Sequence, residues 1–347
     1  MTAVPFLVLI LIFAGIKIAP KGTYNDDYLS LKNTNALRGM CALIVAMQHT
    51  CAYQHDKWTA PFLYIGFLAT SIFFFLSGYG LMYGIENKKR YLKSFLKKRL
   101  CTVLIPYLFA NVVYLCIRQS LGLEISLTEF VEMYKKGEPY VSFSWFIISI
   151  MYFYVLFYVV FNVFTKNIAV FLMIPGSILY MYLVKSIGFD YHWYTTVFCF
   201  SGGVIWYRYR KTLTQIARNQ GFLKILLMFL ITFALLFATF KNIYFYIAGS
   251  NITALCFQIT MMLVLQKVRI HNFVLEYLGK VSFEFYILHG IVIKIFNEYI
   301  VLQGSVYVLV VIAASTLIAT ILYYIDKTVV PWATGIEYGK KRVIVNE

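Results

Sequence analysis

The chain has 347 residues, 61% of them hydrophobic and 13% charged, with a mean hydropathy of +0.73. Soluble domains are about 45–50% apolar and about 25% charged, so this composition excludes an ordinary soluble fold, a disordered chain and a disulfide scaffold. The formal charge of +16 is a property whose placement matters more than its size. Six cysteines occur without a C-x-x-C pair, five of them inside apolar runs, so neither a zinc site nor a disulfide framework is expected.

A spanning helix needs about 20 residues, which leaves room for about ten or eleven spans and no separate soluble domain. Apolar runs fall at 4–19, 34–53, 62–84, 100–118, 144–164, 168–186, 191–207, 222–240, 243–266, 281–302 and 304–325. The first lacks the basic n-region of a signal peptide and reads as an extra span with its N-terminus outside. The expected fold is an all-α polytopic membrane protein of about ten core transmembrane helices plus one extra N-terminal helix. Its divisions are 1–33 (the extra helix and a cytoplasmic loop), 34–330 (the transmembrane domain) and 331–347 (a cytoplasmic tail).

Orientation comes from the segment Glu86 to Arg99, which holds seven basic residues and is placed in the cytoplasm by the positive-inside rule. Alternation from that anchor gives the inner segments 23 Lys and Arg, against 6 in the outer ones. The charge then belongs to a cytoplasmic membrane surface, and a nucleic-acid partner drops out. No internal repeat is visible.

Charge inside a span costs about 2.5–3.5 kcal/mol on insertion scales and needs a reason. Arg38 and His49 lie 11 residues apart on the first core helix, which leaves them about 20° from alignment and about 16 Å apart along the axis. Arg38 falls near the inner surface and His49 near the outer end. They line either a narrow cavity or, in the plainer alternative, snorkel to head groups and bond a neighbouring helix. Phe73 to Gly80 places Ser77, Gly78 and Gly80 in an aromatic helix, and Ser201-Gly202-Gly203 repeats the theme; both read as close helix packing. Pro106 is expected to kink its helix. In the long outer loop 119–143, Ser126-x-x-Glu129 is a capping-box pattern opening a short amphipathic helix on the outer membrane face. Late in the chain, Ser282, Tyr286, His289 and Ile293 share a helix face, whereas Glu284 lies about 140° from His289. For each of these a structural hydrogen bond between helices remains an equal alternative.

Together these residues resemble acyltransferase family 3, polytopic membrane enzymes that O-acylate sugars and other hydroxyl acceptors. The resemblance rests on Arg38 and His49, on Phe75-Leu76-Ser77-Gly78-Tyr79, on Lys98-Arg99 leading to Pro106-Tyr107, on Ser144-Trp145-Phe146, and on Ser282-Phe283 to His289, all in order over 34–290. One departure is Thr102, where family members often carry a second basic residue after Arg99. The resemblance implies transfer of an acyl group, most often acetyl, from cytoplasmic acyl-CoA, a co-substrate rather than a bound cofactor, to a hydroxyl on the other side of the plasma membrane. His49 would either take the hydroxyl proton or itself carry the acyl group, and Arg38 with Lys97, Lys98 and Arg99 would hold the donor. Ser77, Tyr79, Trp145, Glu284, Tyr286 and His289 would support an acceptor such as an envelope glycan. A transporter or flippase for a lipid-linked glycan is the rival class. It predicts paired broken helices in two related halves, which this chain lacks.

Overall fold

The computed structural model describes residues 4–53, 60–123, 125–239, 246–300, 302 and 304–335. Among these residues seven helices are long and apolar enough to cross a membrane. They are α3 (Gly66–Asn87), α4 (Phe95–Ser120, running through Pro106), α6 (Trp145–Val163), α7 (Lys166–Ser186), α9 (Phe222–Thr239), α10 (Tyr246–Lys267) and α13 (Gly304–Thr334). Three more, α2 (Leu31–Cys51), α8 (Phe198–Asn219) and α12 (Ser282–Tyr299), have 21, 22 and 18 residues and carry the polar side chains that lower their hydropathy. The protein is an all-α, multi-pass membrane protein.

The remaining helices are short. α1 (Val4–Phe13) has ten residues, about 15 Å, and packs on α13. The expected span over 4–19 is therefore shortened to half a bilayer. Its end is fixed at Gly15, whose positive φ of 84° turns the chain beside the His271 carbonyl. Lys17–Ile18 (β1) then pairs antiparallel with Val268–Arg269 (β2), clasping the chain start to the end of α10. Two other boundaries move. α8 starts seven residues after the apolar run at 191 and continues to Asn219, its basic turns held by Glu86 through Arg208 (3.3 Å) and by Asp26 through Arg218 (2.8 Å). α13 crosses the expected boundary at 330 and ends at Thr334, with Pro331 in its last turn. Of the expected tail, 336–347 lies outside the described residues.

Between α4 and α6, α5 (Leu127–Lys135) carries the capping box read from the sequence. Ser126 Oγ accepts the Glu129 N–H at 3.2 Å, and the Glu129 carboxylate accepts the Ser126 N–H at 2.8 Å. Those bonds to Ser126 hold the Glu129 carboxyl below the usual carboxylate range. Leu127 and Val131 stay exposed on its outer side, and Phe130, Met133 and Tyr134 pack inward.

Glycines set the closest crossings. A Cβ at Gly39 of α2 would run into the Leu275 carbonyl of α11 (Phe273–Lys280), and one at Gly279 would meet the Asn35 backbone. The α3–α8 crossing is of the same kind: Gly78 faces the Phe200 carbonyl and Gly203 the Phe75 carbonyl. Small residues let backbones touch where lipid offers no hydrophobic drive for association.

Candidate active site

The Gly39–Gly279 contact brings α2 and the α11–α12 segment side by side at one level. Ten residues further on each strand of the contact stand His49 and His289, which meet: His49 Nδ1 lies 2.7 Å from His289 Nε2. The bond fixes a proton pattern. His289 Nδ1 sits 2.6 Å from the Tyr286 carbonyl and 3.2 Å from that of Phe285. A carbonyl only accepts, so Nδ1 carries the hydrogen and Nε2 of the neutral ring is an acceptor. His49 Nδ1 must then donate to it. The remaining nitrogen of His49, Nε2, is left with a lone pair.

Phe143 holds that ring from its face, with centroids 3.7 Å apart and planes 10° from parallel. Its φ of 63° is left-handed, a strained conformation for an aromatic residue. Its carbonyl accepts the Tyr286 hydroxyl at 2.5 Å, so α12 holds the strained turn as well as the second histidine. Strain at a turn that stacks on an imidazole is what a site requiring one ring orientation looks like.

His49 lines a cavity of about 1100 Å³, together with Gln48, Phe143, Trp145, His192 and Tyr286. The cavity opens at the end of α2 and the starts of α3, α6 and α10, on the face opposite the basic segment 88–99. Trp145 begins α6 directly after Ser144, whose buried hydroxyl bonds Tyr107 at 3.0 Å, and its ring meets His192 edge-on at 5.7 Å. His192 lies in the connection between α7 and α8, where burial holds its imidazole below the usual histidine range against the opposing pull of Asp190.

A second group forms nearer the basic face. Arg38 bonds Asn35 Oδ1 at 3.4 Å, and Arg99 donates to the Tyr91 hydroxyl at 2.8 Å. The buried Tyr154 of α6 lies near both guanidinium groups and near Ser77. Ser77 thus sits with the arginines and not with the cavity. Along the unbroken α2, this group lies about 16 Å from His49.

The other expected residues go elsewhere. Lys97 and Lys98 are exposed on the basic face. Tyr79 packs edge-on against Tyr207 of α8 at 4.9 Å. Glu284 is buried toward α13 with Asp326 as its acidic neighbour, and it is not part of the cavity lining. Sequence reasoning missed Gln48, Phe143, Tyr154 and His192. Among them only Gln48, beside His49, carried a local signal. No group of three or more His, Cys, Asp or Glu residues that would hold a metal is found among the described residues.

Comparison with known families supplies the class. The family model for the acyltransferase domain Acyl_transf_3 matches residues 31–324, from the first residue of α2 into α13. No curated protein and no solved structure matches the chain. The match covers most of the chain, and the protein belongs to acyltransferase family 3.

Proposed function

From this membership we propose that the protein is an O-acyltransferase of the plasma membrane. It moves an acyl group, most simply acetyl, from acyl-CoA on the cytoplasmic side to a hydroxyl of an envelope glycan. The observation that carries the reading is His49 in the cavity wall, backed by His289, with no partner for its Nε2 among the described residues. The 23-to-6 distribution of basic residues supports the orientation, with the C-terminus in the cytoplasm.

In this mechanism CoA docks from the basic face. Arg38 and Arg99 hold its phosphates as fixed, always-charged donors, and the exposed Lys97 and Lys98 raise its local concentration. The pantetheine arm reaches along α2 and brings the thioester to His49. A sugar enters from the opposite face and packs against Trp145, with Tyr286 and His289 ordering the base. His49 Nε2 takes the hydroxyl proton as the acceptor oxygen bonds to the acyl carbon. When the carbon–sulfur bond breaks, the imidazolium returns that proton to the leaving thiolate. His289 accepts the Nδ1 hydrogen throughout and stabilises the transient positive ring.

His49→Ala tests this directly. Mass spectrometry of envelope glycans should show an acetyl group in cells with the wild-type protein and its loss in cells with the variant. In purified form the variant should be about 10²–10⁴-fold slower while folding normally. Wild-type acetylation by a normally expressed His49→Ala protein removes the proposal.

A further inference from the structure

Gln48 precedes His49 on α2 and lines the same cavity. Helix α3 begins beside it at Gly66, where the cap residue Ile65 offers no side-chain bond. The first N–H groups of a helix have no partner within it. Gln48 Oε1 accepts the Gly66 N–H at 2.6 Å and so caps a neighbouring helix. A Cβ at Gly66 would collide with this amide, so the contact needs glycine.

That bond fixes the orientation of the amide. Because a backbone N–H only donates, the atom facing Gly66 is the oxygen, and Nε2 with its two hydrogens turns away. Among the described residues Nε2 donates to no acceptor, and the side chain forms part of the cavity wall next to His49. A glutamine kept only to cap α3 would use its oxygen alone. Here two oriented donors are left over, in the cavity that holds the base.

We infer that Gln48 is a catalytic residue whose amide hydrogens stabilise the charge developing on the acyl carbonyl oxygen. The inference rests on the proposed acyl transfer. As the acceptor oxygen bonds to the acyl carbon and its proton passes to His49, the carbonyl π pair moves onto oxygen. Nε2–H bonds to that oxyanion. The pair then returns, the carbonyl re-forms, the carbon–sulfur bond breaks, and the thiolate takes the proton from His49. Donors oriented before the reaction need no reorganisation when charge appears, and losing one such group costs about 10²–10³-fold in kcat.

Gln48→Glu is the informative variant, because it keeps an oxygen for the Gly66 N–H but supplies no amide hydrogen. Purified wild-type, Gln48→Glu, Gln48→Met and His49→Ala proteins would be assayed with radiolabelled acetyl-CoA and envelope material from cells lacking the protein. Thermal unfolding would be followed in the same detergent. The inference expects Gln48→Glu to keep the wild-type Tm and its KM for acetyl-CoA while kcat falls about 10²–10³-fold. A purely capping role predicts the opposite: near-normal kcat in Gln48→Glu, and loss of activity in Gln48→Met in step with loss of Tm. That pattern overturns the inference and leaves the acyl-transfer reading intact, provided His49→Ala is inactive. An active His49→Ala, or no transfer by the wild type, overturns the acyl-transfer reading and this inference with it. If Gln48→Glu unfolds, Gly66→Ala decides: it displaces the amide, and unchanged kcat in a folded Gly66→Ala protein also refutes the role.

Discussion

Helices α2 and α9 reverse the rule of a soluble core. α9 is among the most apolar segments of the chain, with a mean hydropathy of 2.4, yet Phe222 is its only buried residue. α2 carries Arg38, Gln48 and His49, and 13 of its 21 residues are buried. Water drives apolar surface inward in a soluble protein, but lipid is as apolar as leucine and exerts no such sorting. What lipid rejects is polarity, so the helix with polar groups goes to the centre and the helix without them to the rim.

Matched substitutions can break this comparison. The largest effect is expected from Gly39→Val in α2, because its Cβ meets the Leu275 backbone of α11. Overpacking of this kind costs about 1–3 kcal/mol or more. A marked fall in Tm or in monodisperse protein on size exclusion is the expected result. Arg38→Lys keeps the charge but loses the planar fork, and should weaken acyl-CoA binding about tenfold with the fold intact. Binding of acetyl-CoA to the purified variant measures this, and unchanged affinity removes Arg38 from the donor site. Ala234→Val adds the same two methyl groups as Gly39→Val minus the Cβ, on the exposed side of α9. It should change stability by less than about 0.5 kcal/mol. A large effect there would mean that α9 is covered by something other than lipid.

Much of α2 was legible before the structure. The 11-residue spacing of Arg38 and His49 follows from helix geometry alone, and the capping box of α5 is equally local. Gly78 and Gly203 read correctly as a crossing, because lipid leaves few other uses for glycine in a helix, whereas a Cβ at Gly80 would meet nothing within 4 Å. The pairing of His49 with His289 was out of reach, since 240 residues separate them and helix periodicity carries no information across that gap. Phe143 gave no warning either: nothing in an aromatic side chain announces a positive φ. Glu284 was expected to support an acceptor, but its helix turns that face toward α13. The apolar run at 4–19 overstated α1 because hydropathy counts residues and does not register a turn at Gly15.

The β1–β2 clasp, the Gly39–Gly279 crossing and the histidine pair all join the start of the chain to a region about 240 residues later. During synthesis α2 therefore enters the bilayer before the partners of Gly39 and of the His49 imidazole exist. It waits there while eight further helices emerge, until α11 and α12 arrive. Non-local contacts of this separation form late and slowly. The ribosome has thus nearly finished before the two histidines first meet.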